Sequence, residues 1–192
     1  MMTTTPSITD STYSWFRLLL TLLAAIIANV GMWAIIVIMP AVEAEFGAGR
    51  AEASMPYTLT MIGFAFGNFA IGRAVDRFGV TISLIAAAAG IAAGFGAATL
   101  SSSIVMMSAA QLLVGFASAV GFGPLIADIS HWFVRRRGIA VALVASGNYL
   151  SGAFWPIVLS GLLQTHGWRA VYLYLALVTL LGEIPLALAM RR

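Results

Sequence analysis

The chain of 192 residues contains no cysteine and carries very little charge. Without cysteine there is no disulfide framework and no thiolate metal site, and the two histidines, His131 and His166, have no second ligand at metal-binding spacing. Only 9% of the residues are charged, against about a quarter in soluble domains, and 61% are hydrophobic. So little polar surface cannot cover a soluble globule. The sequence therefore predicts a protein that lies in the lipid bilayer and holds no metal or other cofactor.

Lysine is also absent, so the basic residues are all arginine. They lie between apolar runs and do not form a basic face with aromatic residues interleaved. This distribution excludes nucleic acid as an expected partner.

Six apolar runs are each long enough for a bilayer-crossing helix, which needs about 20 residues. They cover about residues 15–41, 55–73, 80–100, 104–129, 138–163 and 168–190. The sequence thus predicts an all-α polytopic membrane protein, with a cytoplasmic tail of residues 1–14 and one six-helix domain of residues 15–192.

The arginines predict the orientation, because short loops rich in Lys or Arg remain on the cytoplasmic side. The tail and the segments that follow the even-numbered apolar runs hold Arg17, Arg73, Arg77, Arg135, Arg136, Arg137, Arg191 and Arg192. The odd-numbered connections hold only Arg50 and Arg169. Both termini are therefore predicted to be cytoplasmic.

Two segments repeat a pattern of glycine, asparagine and aromatic residue: GNFAIG at 67–72 and GNYLSG at 147–152. Pro40 and Pro124 have a similar offset, as do Gly79 and Gly167. These offsets predict two three-helix units, the second inserted upside down relative to the first because each has an odd number of spans. Chance recurrence in a glycine-rich membrane protein is the alternative explanation.

The segment GRAVDRFG, residues 72–79, resembles the loop signature of the major facilitator superfamily, and the whole chain resembles the amino-terminal half of such a transporter. Gly72, Asp76, Arg77 and Gly79 match that signature, whereas Thr81 and Ile82 stand where a basic pair is expected. The resemblance implies a fold of six helices as a 3+3 inverted repeat.

The segment HWFVRRRGIAVALVASGNYLSG, followed by WPIV and HGWRAVYLY, is similar to the monocarboxylate transporter and oxalate/formate antiporter branch. FGAGRAEAS, residues 46–54, is similar to the outer loop of bacterial members, which implies a bacterial inner membrane. Proton-coupled antiporters often carry an arginine in the fourth helix, whereas this sequence has Ala109-Ala110-Gln111 at that place. The implied function is secondary active transport of a small organic anion by alternating access.

The resemblance also implies roles for the charged residues. The set Gly72, Asp76, Arg77 and Gly79 is expected to act as a cytoplasmic latch, with Gly72 permitting close approach of a neighbouring helix. For Arg135, Arg136 and Arg137 a purely topogenic role is expected. We expect Asp128 to form a gate-stabilising ion pair with Arg73 or Arg77. Glu183 is either a proton-coupling group, a snorkelling side chain or a partner of Arg191.

The helices expected to face the cavity carry amide and aromatic side chains that suit a small carboxylate. The candidates for the substrate path are Asn29, Trp33, Tyr57, Gln111, Asn148 and Tyr149, with Asn68 and Phe122 nearby in the same helices. Each of them is equally suited to helix packing. Six helices form one wall of a cavity, so the expected partner is a second half-transporter or a second copy of the chain.

Two other functions remain open. The chain could be a non-transporting half-transporter fragment or assembly subunit. It could also be a rhomboid-like intramembrane serine protease with Ser146 as nucleophile, although Val144 replaces the expected glycine and His166 lies in a predicted loop.

Overall fold

The computed structural model describes residues 9–191, and all regular structure in this range is helical. Residues 1–8 of the predicted tail, and Arg192, lie outside the described residues. The helices are α1 (Thr12–Ala28), α2 (Val30–Phe46), α3 (Arg50–Ala53), α4 (Met55–Phe78), α5 (Val80–Thr99), α6 (Ile104–Ser118), α7 (Gly123–Ser130) and α8 (Arg137–Ala189), with a 3-10 turn at Ala119–Gly121.

Five helical stretches are long and apolar enough to cross a membrane: Thr12–Phe46, Arg50–Phe78, Val80–Thr99, Ile104–Ser130 and Arg137–Ala189. This composition is that of an integral membrane protein. The predicted fifth and sixth spans together form the single 53-residue helix α8, so the structure has five long apolar helices where six were predicted. Inside α8, Gly167 has φ 77° and ψ 170°, a conformation that glycine adopts without a Cβ clash.

The part of α8 before Gly167 runs alongside α1 and α2 in the same direction. Its beginning lies near the start of α1, where the Arg136 guanidinium is 5.8 Å from the Trp15 ring. Further along, Gly152 packs against the indole of Trp33 on α2.

The part after Gly167 makes its contacts in the opposite order. The ring of Trp168 lies 6.2 Å from that of Phe46, at the end of α2. The last turn of α8 returns to α1, where Arg17 Nη1 donates to the Met190 carbonyl at 2.7 Å. The order of contacts therefore reverses at Gly167.

Two of the long apolar stretches are interrupted near their middle, and these two points touch. Asn29 separates α1 from α2, and the 3-10 turn followed by Phe122 separates α6 from α7. The Asn29 side-chain amide donates to the Gly121 carbonyl at 2.9 Å. A polar side chain thus joins the two irregular points inside the domain.

Glycines allow α4 and α6 to cross closely. A Cβ at Gly63 or Gly67 would overlap main-chain atoms of α6, and a Cβ at Gly115 would overlap the Thr60 main chain. Such small-residue crossings are the usual way in which helices associate in lipid. Gly72 is different, because a Cβ there would meet nothing within 4 Å. Within residues 9–191, the predicted close approach at Gly72 does not occur.

Candidate functional site

The predicted latch residues lie at the end of α4 and in its connection to α5. Asp76 and Arg77 are exposed, and Gly79 joins the helices with a φ of 83°. The Arg77 guanidinium lies 5.2 Å from the ring of Phe78. Among residues 9–191, Asp76 has no ion-pair partner, so its carboxylate is open to a group outside the described chain.

Asp128 has a different partner from the predicted one. Arg17 Nη2 lies 2.9 Å from Asp128 Oδ2, Nε lies 3.3 Å from the same oxygen, and the guanidinium is 4.4 Å from the centre of the Trp132 ring. Arg73 instead places its guanidinium 3.8 Å from the Phe69 ring. The predicted Asp128–Arg73 pair is therefore wrong, and the ion pair is Arg17–Asp128.

The reason lies in which faces of the helices meet. Phe69 and Arg73 are four residues apart and therefore share one face of α4, and that face is exposed. Arg17 lies on the packed face of α1 with 4% of its side chain exposed. The signal available in the sequence was a single arginine inside the run WFRLLLTLL, since a charge in such a run needs a partner.

Two of the predicted substrate-path residues are fully buried and join helices. The amide of Gln111 on α6 donates to the Tyr172 hydroxyl on α8, and its oxygen lies 3.5 Å from the Thr60 hydroxyl on α4. Asn29 binds the Gly121 carbonyl, as described above. In this conformation neither amide is open to a ligand from outside the domain.

Three other predicted residues come together at the edge of the domain. The indole N–H of Trp33 points to both oxygens of Asn148, at 3.1 Å from the main-chain carbonyl and 3.2 Å from Oδ1. Tyr149 follows directly and is 73% exposed. We call Trp33, Asn148 and Tyr149 the edge cluster. Tyr57 is half-buried on α4, and no hydrogen bond within residues 9–191 joins it to this cluster.

The two GN motifs have matching neighbours. Gly67 packs against α6, and Asn68 Oδ1 accepts the N–H of the first residue of α7 at 3.2 Å. Gly147 packs against α1, and Asn148 accepts the indole N–H of Trp33 on α2. In each motif, the glycine therefore packs against the first half of an interrupted apolar stretch, α6 or α1. The asparagine accepts a hydrogen bond from the second half, α7 or α2. Phe122, also singled out, lies 6.2 Å from the Phe64 ring.

Glu183 lies on the buried face of the last part of α8. Its side chain is fully buried, and neither carboxyl oxygen has a hydrogen-bond partner among the described residues. Arg191 does not pair with it, and the side chain does not reach the surface. Of the three expected roles, neither the Arg191 partner nor snorkelling is seen in this structure.

A second charged cluster, which sequence reasoning missed, lies at the opposite end of the domain from Arg17. Arg169 Nη1 is 2.5 Å from Glu45 Oε1, and its other nitrogens donate to the carbonyls of Thr99 and Ser101, each at 3.1 Å. The indole N–H of Trp168 donates to the other Glu45 oxygen at 2.5 Å. These contacts join α2, α5 and α8. The GWR triplet was the available signal.

Asp10, two residues before α1, is also attached to the domain. Asp10 Oδ2 accepts the backbone N–H groups of Val134 and Arg135 at 3.1 and 3.0 Å, and the Asp10 N–H donates to the Trp132 carbonyl at 3.1 Å. The backbone hydrogen bond from Arg135 is the main reason that the pKa of Asp10 lies below its ordinary value. Asp10, just before α1, is thus held against the connection between α7 and α8.

The residues of the protease hypothesis are not assembled. Ser146 donates to the Leu143 carbonyl at 2.7 Å, and the His166 ring pairs with the Thr165 hydroxyl at 2.6 Å. Ser146 and His166 lie on the same part of α8, before Gly167, and their 20-residue separation corresponds to about 30 Å at 1.5 Å per residue. A nucleophile and its base need hydrogen-bond contact.

Long apolar helices that cross at glycines and are joined by buried polar contacts define a polytopic integral membrane protein. The sequence profile of the Major Facilitator Superfamily matches residues 21–192. The chain therefore belongs to this family of transporters, as the resemblance predicted, and it is not an enzyme.

Relatives in the curated proteins carry names that describe transporters. The chain is 45% identical over 60 residues to the MFS-type transporter pytF of Aspergillus terreus, which covers 31% of this chain and 20% of that protein. It is 42% identical over 69 residues to Monocarboxylate transporter 11 of Homo sapiens, 36% of this chain and 15% of the relative. It is 26% identical over 166 residues to Monocarboxylate transporter 6 of Homo sapiens, 85% of this chain and 33% of the relative. The chain thus spans a third or less of the length of these relatives.

Proposed function

We propose that this domain forms one wall of a transporter that moves a small organic anion, a monocarboxylate or dicarboxylate, by alternating access. The observation that carries the proposal is the edge cluster. Tyr149 lies about 18 Å along α8 from its start at Arg137, near the middle of the predicted fifth span, and is 73% exposed. A tyrosine hydroxyl and an amide at that depth are unfavourable against lipid tails. They suit a water-filled cavity or a second wall, and the names of two relatives supply the monocarboxylate class.

The proposed transport unit has six spans in this chain, arranged as a 3+3 inverted repeat. The reversal of contacts at Gly167 supports a fifth and a sixth crossing within α8. The matching neighbours of the two GN motifs support an approximate twofold relation between residues before and after the middle of the chain. Both arguments rest on contacts that are independent of the apolar runs.

The cavity needs a second wall. Monocarboxylate transporter 6 of Homo sapiens is about three times as long as the part of it that this chain matches, which supports a second six-helix half, either in the same protein or encoded separately. A homodimer is the alternative partner. In either assembly the exposed Asp76 is the proposed latch acid, because it has no partner among the described residues and the N-terminus of a helix in the other half favours an anion.

The Arg17–Asp128 pair is the proposed gate-stabilising contact on the same side. Following the distribution of arginines, this side is proposed to be cytoplasmic, with both termini there. The bacterial inner membrane stays a prediction, since the relatives named above are fungal and mammalian.

Glu183 is the proposed proton-coupling group. A fully buried carboxyl group with two unpartnered oxygens is strongly disfavoured as an anion in lipid, so it is expected to carry a proton in this conformation. Release of that proton would require a conformation in which Glu183 meets water or a cation. Uptake by Glu183→Gln would then lose its dependence on a proton gradient while substrate exchange continues.

The test is uptake of labelled oxalate, formate, lactate and pyruvate by proteoliposomes that contain the purified chain, with its mass measured by light scattering. Saturable uptake with a dimeric mass supports a homodimeric carrier. Absence of uptake with a monomeric mass supports a separate second half, and uptake should then appear when that half is added.

A pair of tyrosine variants tests the edge cluster. Tyr149→Phe, which removes one hydroxyl from the proposed cavity, should weaken substrate affinity by about tenfold, the value of one hydrogen bond to a charged group. Tyr174→Phe is the matched control on another exposed part of α8 and should leave uptake unchanged. Equal effects of the two changes would contradict the edge cluster as a binding site. If the assembled protein is stable but binds no anion, the result would favour a non-transporting assembly subunit.

A further inference from the structure

A cavity of about 450 Å³ lies at the end of the domain that holds Arg17, between the start of α1, the start of α5 and the end of α8. It is separate from the edge cluster, which lies near the middle of the predicted fifth span. None of the predicted substrate-path residues lines it, whereas Gly79 of the latch set and Arg17 of the proposed gate pair do. Its walls divide into a polar side and an apolar side.

The polar side carries two guanidinium groups. Arg17 is buried and held by Asp128 and by the Met190 carbonyl, so its position is fixed but its charge is largely compensated. Arg191 is exposed, and its side chain has no hydrogen-bond or ion-pair partner among residues 9–191. Arg191 therefore supplies uncompensated positive charge at the cavity wall.

The start of α5 adds hydrogen-bond donors to the same side. Ser83 N–H is the first to bond back, to the Gly79 carbonyl at 3.3 Å, which leaves the N–H groups of the preceding turn without a helix acceptor. No side chain caps this end of α5. The hydroxyl of Thr81 also lies in the cavity wall. Asp76, the nearest acid along the chain, does not line the cavity.

The apolar side continues onto the outer surface of the domain. Ile82 and Leu188 line the cavity and are 59% and 49% exposed, and Ile85 lies between them and the core. Trp132 lies at the polar edge, where an indole is typical of the membrane interface. The charged side of the cavity thus faces the level of the lipid headgroups, and its apolar side faces the acyl chains.

We propose that this cavity binds the headgroup phosphate of an anionic phospholipid, with Arg191 and the start of α5 holding the phosphate and Ile82 and Leu188 packing against an acyl chain. Arginine and an open helix N-terminus are both suited to phosphate. A basic pocket between membrane helices is a known kind of lipid-headgroup site. The apolar wall favours a phospholipid over a free phosphate, because a soluble anion would leave that wall without a partner.

The experiment measures lipid retention by the purified full chain. Delipidated protein in detergent is mixed with phosphatidylglycerol, with phosphatidylcholine, or with glycerol 3-phosphate, and bound molecules are counted by native mass spectrometry. We expect one phosphatidylglycerol per chain, retained about tenfold more strongly than phosphatidylcholine, the preference that one charge-assisted contact supplies.

Two arginine variants separate a built site from general surface charge. Arg191→Gln should abolish most of the preference for phosphatidylglycerol, and Arg191→Lys should restore part of it. Arg135→Gln removes the same charge from an exposed arginine that does not line the cavity, and it should keep the preference. Thr81→Val tests the cavity from α5 and should weaken retention without changing the net charge.

Three results would overturn the proposal. Equal retention of the two phospholipids by the wild-type chain would show that the cavity does not select a headgroup. Equal loss in Arg191→Gln and Arg135→Gln would mean nonspecific attraction. Competition by glycerol 3-phosphate as effective as that by phosphatidylglycerol would make the site one for a soluble phosphate.

Discussion

Arg17 and Arg169, at opposite ends of the domain, make similar contacts in very different surroundings. Each binds a carboxylate, donates to a main-chain carbonyl near a helix end, and lies over a tryptophan ring, at 4.4 Å for Arg17 and 4.2 Å for Arg169. The exposed fractions are 4% for the Arg17 side chain and 18% for Asp128, against 42% for Arg169 and 39% for Glu45. Because water competes for the second pair and not for the first, burial decides how strongly the two arginines stabilise the fold.

The largest expected effect is that of Arg17→Gln. This change leaves the Asp128 carboxylate without its partner in a mostly buried site and leaves the Met190 carbonyl without its donor. Removal of one member of a buried ion pair lowers the free energy of unfolding by about 3–5 kcal/mol. The measurement is thermal unfolding of the purified chain in detergent.

The same pair offers an internal control. In Asp128→Asn with Arg17→Gln, two neutral amides replace the two charges, and much of the lost stability should return. A double variant that is no more stable than Arg17→Gln alone would show that the loss comes from the Met190 contact and not from an uncompensated charge. Arg135→Gln, at an exposed arginine of the same end whose side chain makes no hydrogen bond or ion pair within residues 9–191, is the matched surface control.

Gln111→Leu sharpens the comparison, because Gln111 is fully buried but neutral. The change leaves the Tyr172 hydroxyl without its partner, at a cost of about 1–3 kcal/mol in the free energy of unfolding. Adding Tyr172→Phe removes the unpaired hydroxyl and should recover most of that loss. If the double variant is as unstable as Gln111→Leu, then side-chain shape, and not the hydrogen bond, governs this contact.

Arg169→Gln is expected to have a smaller effect, about 1 kcal/mol or less, since exposed ion pairs contribute little. The loss should shrink further in high salt, which screens exposed charges, whereas the loss in Arg17→Gln should persist. Thermal unfolding of both variants at low and high salt checks this. A salt-independent effect at Arg169, as large as that at Arg17, would refute burial as the deciding factor.

These contacts also show where sequence reasoning succeeds. Family membership followed from the loop signature and from the apolar runs, because lipid requires long uninterrupted helices and short hydrated connections. The start of α5 could be read from Gly79, since a glycine with positive φ separates two helices there. The pair of GN motifs was visible as a repeat because glycine at a close crossing cannot be replaced without a clash.

The partner of Asp128 could not be read in the same way. The sequence places Asp128 and Arg73 near the same membrane surface but does not say which helix faces meet. In this fold α7 contacts both α4 and α1, and Asp128 lies against Arg17 of α1. Local hydrophobicity determines the depth of a residue along the membrane normal. Its neighbours within the membrane plane are determined by the packing of the whole domain. The Gln111–Tyr172 and Glu45–Arg169 contacts were missed for the same reason.

The smallest expected effect concerns Asp10, which lies at the same end as Arg17 but outside the membrane-spanning helices. Its folded-state pKa is lowered, chiefly by the backbone N–H of Arg135, so the contact stabilises the attached segment above the unfolded-state value of about 4. That stability is lost as the pH falls through the folded-state pKa. Hydrogen exchange at the Val134 and Arg135 amides should therefore gain a local acid-induced opening below about pH 4, once the intrinsic exchange rate is subtracted. Asp10→Ala should show the open state at every pH, and unchanged protection in that variant would mean that the Asp10 carboxylate does not hold the segment.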